Sequence, residues 1–600
     1  MQQPSIPVIV LIVLGVLAYA ASIYLIDRSL SGVKGVYFRY LAVVASVGLF
    51  FFGVGKLYTD NDRATGVVKI GIALSAAGCL FYEQHRAGMR RPIAERWKRF
   101  IGITLGLAAI VAYYHGFRFN YPQYYHRHDQ YHYYLGAKYF PELGYNDLYK
   151  CTVIAQDELG TIRDVTGWVD VTKENRRADR KIRHLGADNL LVPAAQFLEH
   201  PEECTTHFST ERWAAFKDDI RFFRSVSDRD FWERMQTDHG YNPPPVWMLA
   251  GRFFADMYPA GHQIFGFVWL QWLAQLDNVL VAAMFAAIWW AFGWRVFAIG
   301  ALFWGCNAPG DDYFVSGAFL RMDWLLFFVL AGCFARKRWF AAAGASLVYA
   351  GLLRIFPGLA VIGWLVVAGA YIVKHKRMAK SHQRMLLGGV LAAALLVPAS
   401  IRVCKWEAYP DFFRHTLQVH NETPLTNHMG LRVLIAHKIG TGPESGRAMY
   451  TKDDKLADPF EVWKRMRNAR YYKYKPVAYA IILLSLAFFV WVVRRVKSMW
   501  IALALGQIFI ILLSQLTSYY YAFMVISAPL TRARRQIELP LLGLAALSQL
   551  VWQAFGWFDD KSAMVTLLCL LFCYWMVSLF AEKDKMDAFY DKAKALVSRR

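Results

Sequence analysis

Residues 477–493 read VAYAIILLSLAFFVWVV, and Arg494-Arg495-Val496-Lys497 follows at once. A run of this length with no acid or base is close to the ~20 residues that cross a bilayer as one helix. The basic cluster behind it is the kind of flank that fixes which end of a span stays inside. Similar blocks recur at 6–26, 38–55 and 562–580. Over the whole chain of 600 residues, 56% are hydrophobic and only 19% are charged, below the ~25% usual in soluble proteins. A soluble enzyme, a disordered scaffold and a small secreted disulfide module are excluded. The expected fold class is an all-α polytopic membrane protein.

Working outward from 477–493, the same pattern predicts spans at 6–26, 38–56, 66–82, 99–117, 262–292, 296–309, 316–334, 339–354, 357–373, 384–401, 476–493, 499–517, 518–531, 537–556 and 562–580. Several are short or adjoining, which gives 13–15 crossings. The stretch 246–292, broken by Pro243-Pro244-Pro245 and Pro259, must supply an odd number. Ala18-Tyr19-Ala20 resembles a signal-peptide cleavage site, but no base precedes the apolar run, so an uncleaved anchor is the expectation.

The net charge of +23 would suggest nucleic acid in a soluble protein. Its distribution says otherwise. Thirty Lys and Arg fall in eight short segments that include 86–99, 374–384, 494–497 and the tail from Lys583 to Arg600. The alternating segments hold about four, whereas 118–245 carries 17 bases against 20 acids. The charge is an orientation signal facing anionic lipid, with the N-terminus out and the C-terminus in. Nucleic acid is not an expected partner; the lipid bilayer is.

Two segments predicted outside, 118–245 and 402–475, are too long to be mere connectors. Residues 209–236 place Trp213, Phe216, Ile220, Phe223 and Phe231 at helical spacing among charges, which predicts amphipathic helices on the membrane or on the bundle. Cys151 and Cys204 lie in this excursion and are a candidate disulfide. Asn421-Glu422-Thr423 is a lone sequon.

The densest candidate site is 113–134, YYHGFRFNYPQYYHRHDQYHYY, with ten Tyr or Phe and the single acid Asp129. A carboxylate among aromatic rings near a membrane surface suits a general base, and rings such as Tyr131, Tyr133 and Tyr134 suit sugar faces. The plain alternative is an interfacial tyrosine belt around a solvated acid. His128 and His132 have i,i+4 spacing, but neither an HExxH pattern nor a second acidic ligand accompanies them. They read as hydrogen-bonding histidines, so no metal and no cofactor is expected.

A second candidate is 305–324, GCNAPGDDYFVSGAFLRMDW. Asp311 and Asp312 sit at a break between apolar segments. Arg321 and Asp323 lie in an apolar run, where ionisable groups need partners or a ligand. At i,i+2 on a helix they would face different ways. The third is Arg354, the only base near the break at Pro357. Its guanidinium suits a phosphate ester, with snorkelling to headgroups as the alternative. Asn421, Asn427, His428, Arg432 and Tyr520 are weaker candidates.

The order of helix, loop with Asp, long amphipathic excursion, Tyr-x-Pro-Pro and many helices resembles the C-type (GT-C) membrane glycosyltransferases. More narrowly it is similar to polyprenyl-phosphate-mannose-dependent mannosyltransferases of bacterial glycolipid synthesis. The carrying residues are Asp129 to Lys138 with Gly144 to Tyr149, Tyr241-Asn242-Pro243-Pro244, Phe340 to Leu365 with Gly344, Arg354 and Pro357, and His420 to Asn427 with Leu431-Arg432. Leu320-Arg321-Met322-Asp323 departs from the family's Gly-Gln-x-Asn. The resemblance implies three extra N-terminal helices in 1–98, a GT-C-like catalytic module at 99–556, and a last helix with a basic cytoplasmic tail at 557–600.

It further implies an enzyme moving a hexose, most simply mannose, from a polyprenyl-phosphate donor to a glycolipid or glycan acceptor, with inversion. The site would face the outside of a bacterial cytoplasmic membrane. Asp129 would be the base, and Arg354, Arg321 and Arg432 would bind the donor phosphate. Tyr131, Tyr133, Tyr134, His128, Asp311, Asp312, Asp323, Asn421, Asn427, His428 and Tyr520 would surround sugar or acceptor. The rival readings are a transporter or flippase of lipid-linked glycans and a non-enzymatic scaffold. No inverted repeat stands out, which weakens the first.

Overall fold

The computed structural model describes residues 62–117, 122–186, 189–262, 265–312 and 315–581, with backbone alone at 62, 63, 122, 420 and 421. The first two expected spans and the tail beyond 581 lie outside the described residues. What is described is a mostly helical multi-pass membrane protein with almost no sheet. Seven of its helices are long and apolar enough to cross a bilayer, and three shorter apolar helices accompany them. In lipid the backbone must satisfy its own hydrogen bonds, and helices are how this chain does so.

Of the thirteen expected spans that fall in the described residues, seven coincide with helices long and apolar enough to cross, and the other six fall on shorter, broken or more charged segments. The uncertain stretch 246–292 yields one long helix, Gly266–Phe292, while Met248–Asp256 is a separate short helix. The span at 499–517 is broken into Met499–Leu505 and Ile508–Leu513, and Ser518–Ile526 winds as a tighter 3-10 helix. The helix Asp62–Gly88 packs against Glu538–Ala554 and Trp294–Cys306. This third predicted span is thereby a wall of the main bundle.

Phe340–Leu353 and Lys380–Cys404 cross closely. A Cβ on Gly344 would meet the Met385 carbonyl at 1.8 Å, and one on Gly388 would meet the Ala341 carbonyl at 1.9 Å. Small residues let membrane helices approach in this way. The contact fixes the helix whose end carries Arg354.

The first excursion folds as a small domain. Helix Leu148–Leu159 is followed by antiparallel hairpins, Thr161–Asp164 with Gly167–Asp170 and Lys181–Arg183 with Leu191–Pro193. Helices Thr210–Ser225 and Arg229–Met235 occupy the predicted amphipathic stretch, capped by Ser209 and Asp228. Trp213, Phe216, Ile220 and Phe223 are buried there in the protein's own core, with Leu148–Leu159 packed alongside, in place of a membrane surface. Cys151 and Cys204 form the expected disulfide. Buried pairs complete the domain: Arg224 with Asp164 at 2.6 Å, and Lys138 with Asp219 at 2.6 Å. The second excursion is tied back by two residues of strand, His428-Met429, antiparallel to Leu516-Thr517.

Candidate active site

Asp129 sits in a one-turn helix, Arg127–Gln130, whose start is capped by His126: the Asp129 N–H donates to His126 Nδ1 at 3.2 Å. The helix then widens into a π turn, Tyr131–Leu135. Such widening often marks functional segments because it re-aims successive side chains. Tyr131 points into the excursion and donates to Thr152 Oγ1 at 2.9 Å. Tyr134 donates to the Tyr258 carbonyl at 2.7 Å. Both are buried structural rings, which corrects their expected place at a sugar. Tyr133 alone of the three turns toward the bundle and donates to Asn242 Oδ1 at 2.8 Å.

Opposite Asp129 stands the turn 317–322. Gly317 has φ +72°, and a Cβ there would meet the Tyr124 carbonyl carbon at 2.9 Å and the His126 nitrogen at 3.0 Å. Only glycine fits the approach, and the His126 N–H closes it by donating to the Gly317 carbonyl at 3.1 Å. Leu320 is held in the left-handed region at φ +50°, a strained setting for a leucine. Surrounding bonds hold it there. Trp247 Nε1 donates to the Leu320 carbonyl at 3.1 Å, and Trp324 Nε1 donates to the Arg321 carbonyl at 2.9 Å. The N–H groups of Arg321 and Met322 both donate to Asp277 Oδ1, each at 2.9 Å.

This turn aims Arg321 at Asp129, with Nε 3.4 Å from Oδ1. The guanidinium lies over the rings of Tyr133 and Tyr519, donates through Nη1 to the Tyr133 hydroxyl, and through Nη2 to the Tyr519 hydroxyl at 2.8 Å. Arg354 arrives from the other side. Its backbone is extended where Phe340–Leu353 ends before Pro357. Nη1 donates to the Leu353 carbonyl at 2.8 Å, and the group lies 5.9 Å from the Tyr133 ring. Asp323 opens helix Asp323–Arg336 and accepts from the Trp324 N–H at 2.7 Å. Arg321 and Asp323 are thus a turn residue and a helix start, not two positions inside one helix.

Three polar atoms of this cluster are buried without a hydrogen bond among the described residues: Arg321 Nε, Arg354 Nη2 and Asp323 Oδ2. Orphaned buried groups are costly and call for an explanation, such as a ligand.

The remaining candidates scatter. Tyr520 belongs to the cluster, packed edge-on against Trp324 and Phe356. Asn427 and His428 act behind it: the Asn427 carbonyl accepts from Ser518 N–H at 2.9 Å, and His428 Nδ1 faces Gln515 Nε2 at 2.8 Å, so they position Tyr519 and Tyr520. Arg432 is elsewhere, stacked 4.3 Å from the Tyr471 ring and donating to Asn468 Oδ1 at 3.1 Å, which takes it out of the expected phosphate set. The side chain of Asn421 lies outside the described residues.

Asp311 and Asp312 form a neighbouring network. Lys69 reaches Asp311 at 2.5 Å from the third predicted span, and His115 Nε2 lies 3.2 Å away. Burial pushes the Asp311 carboxyl up, but Lys69 and His115 override it and hold it well below the usual range. Burial, and then the Asp311 charge, push Asp312 up to about 7. His128 pairs with Asp238 at 3.3 Å and stacks on His132, whose ring burial brings down to about 3 and so keeps neutral.

Asp277, Asn242, Tyr519 and Lys69 are the functional-looking residues that sequence reasoning missed. Asp277 and Lys69 had a signal, each being an ionisable residue inside an apolar span. No family model, no curated protein and no solved structure matches the chain. Chemically, the cluster offers one carboxylate, two fixed guanidiniums, a second carboxylate oxygen and an aromatic wall.

Proposed function

We propose that the protein is an integral-membrane glycosyltransferase. It takes a hexose, most simply mannose, from a polyprenyl-phosphate donor and transfers it to a hydroxyl of a glycolipid or glycan. The observation that carries this reading is the pair of buried guanidiniums, Arg321 and Arg354, gathered around Tyr133, with Arg321 Nε set against Asp129 and Arg354 Nη2 left without a hydrogen bond among the described residues. Two cations held in a dry wall suit a phosphate ester through paired N–H donors.

In the proposed reaction Asp129 accepts the proton of the acceptor hydroxyl as its oxygen bonds to the anomeric carbon. The bond from that carbon to the phosphate oxygen breaks, and the electron pair leaves on polyprenyl phosphate. Attack from the opposite face inverts the centre. Negative charge grows on the phosphate, so fixed guanidiniums bind the transition state better than the ground state. Arg321 rests on Asp129 and would be drawn to the arriving phosphate, which frees the carboxylate at the moment it is needed. Asp323 Oδ2 would accept from a sugar hydroxyl, with Tyr133 and Tyr520 as the aromatic wall.

The test is to incubate the purified protein with polyprenyl-phosphate hexoses and candidate acceptors, and to measure polyprenyl phosphate released. Release that requires acceptor and is lost in Asp129→Asn supports the reading. Binding and flipping of the donor across a vesicle without bond cleavage overturns it.

A further inference from the structure

We propose that His128, His132 and Asp238 form a site for one divalent transition-metal ion of the zinc class, at the root of the segment that carries Asp129. Asp129, the acid next to His128 in the chain, is turned away to Arg321; the fold supplies a different carboxylate, Asp238, from more than a hundred residues away. One nitrogen or oxygen from each of the three lies within 4.8 Å of the others. His128 Nε2 is 3.3 Å from Asp238 Oδ2, and the two imidazole rings are 4.4 Å apart. Two histidines and a carboxylate are a ligand set zinc accepts at about 2.0–2.2 Å, with a fourth position open to water.

The hydrogen bond that holds the His132 ring from behind points the same way. His132 Nδ1 faces the His128 carbonyl at 2.6 Å. A carbonyl only accepts, so Nδ1 carries the hydrogen and Nε2 keeps its lone pair. This is the tautomer that metal-binding histidines adopt when their other nitrogen is anchored on a carbonyl. At present Nε2 accepts from the Tyr149 hydroxyl at 2.6 Å, which in turn accepts from the Gly240 N–H at 3.0 Å. The ion takes the place of that hydroxyl hydrogen. The side chains of His128 and Asp238 are 34% and 45% exposed, which leaves the ion a route from water.

A second group, His437, Asp559 and Asp560, has a similar ligand set, but its charge is already answered. Arg447 donates to both oxygens of Asp560, and buried Arg467 stands beside the acids. Cations occupy the electrostatic role there that an ion would take at His128.

The consequence is mechanical. His128 and His132 are each followed by a site residue, Asp129 and Tyr133, while Asp238 leads to Asn242. Tyr133 and Asn242 meet at 2.8 Å. An ion at the root staples the two strands of chain that converge on that bond.

The experiment needs only the full-length protein, purified without a polyhistidine tag, stripped with chelator and titrated with Co2+ and Zn2+. The expected result is one equivalent of Co2+ per chain, with the visible absorption of a four-coordinate ion that Zn2+ abolishes. Asp238→Asn and His128→Gln should each weaken binding by more than the ~10-fold that loss of even a group behind a ligand costs; His437→Gln should not. Both test residues are partly exposed, and thermal unfolding checks that the variants are folded. Absence of binding in the unmutated protein overturns the proposal. So does binding that survives both variants or that is lost with His437→Gln. Metal binding alone is read, so failure here leaves the transferase reading standing.

Discussion

Arg321 and Asp129 face each other across the end of the bundle, Nε to Oδ1 at 3.4 Å, both buried. One comes from the first long excursion and the other from a strained turn nearly two hundred residues later. Asp129→Asn keeps the shape and removes the proton acceptor. We expect polyprenyl-phosphate release to fall by about 100- to 10,000-fold, the usual worth of a general base, in protein that still folds but melts at a lower temperature, since Arg321 is left buried without its carboxylate. Release near the unmutated rate would remove Asp129 from the chemistry.

Arg354 and Arg432 separate cleanly. Arg354→Ala takes away a buried guanidinium with an unpartnered N–H, and turnover should drop about 100- to 1,000-fold, as with loss of a transition-state donor. Arg354→Lys should restore only part of it, since an ammonium lacks the planar fork. Arg432→Ala strips a stack on Tyr471 and should leave turnover within a small factor. The same donor-release assay reads all three.

Lys69→Met should be damaging although the residue comes from a helix expected to lie outside the catalytic module. It leaves a partly buried Asp311 with His115 beside it but no ammonium, so the loss should approach, without reaching, the cost of breaking a fully buried pair, about 3–5 kcal/mol. Lys69→Met with Asp311→Asn should recover much of that loss. Thermal unfolding in detergent tests it; equal destabilisation by the single and double variants would contradict the pairing.

The Asp311-Asp312 network gives a pH dependence with a definite sign. Asp312 is raised from its ordinary 3.8 to about 7, so it favours folding in its protonated form and loses that contribution as pH rises from about 4 through 7. Asp311 is lowered, so its effect falls below pH 4 and does not overlap. We expect Asp312→Asn to raise the melting temperature at pH 8 and to change it little at pH 4. An equal shift at both values would show that Asp312 is not the titrating group.

Much of this was legible in the chain, because apolar runs and basic flanks are one-dimensional signals. The helices around 477–493 and the amphipathic stretch 209–236 are where the pattern put them. The resemblance grouped Asp129 with Arg354 in one expected site; the structure pairs Asp129 with Arg321 and sets Arg354 5.9 Å from the Tyr133 ring. The roles of individual tyrosines were not legible, because a π turn decides which of Tyr131, Tyr133 and Tyr134 faces the bundle. Nor was the fate of Arg432, whose neighbours Asn468 and Tyr471 lie at the head of the next long helix. Asp277 was visible as a charge but not as a purpose: its carboxylate serves two backbone N–H groups of a turn that only the folded chain brings near.

The Cys151–Cys204 bridge has a consequence for how the protein matures. Glutathione and thioredoxin keep thiols reduced in the cytosol, so such bridges form after export. A chain whose first excursion stayed on the reducing side would lack the staple between helix Leu148–Leu159 and the Glu202–Thr205 turn. On the proposed orientation, with the first excursion outside, membrane insertion and thiol oxidation are successive steps in assembling one domain, and a host that performs only the first would yield a bundle whose Asp129 segment rests on an unfinished support.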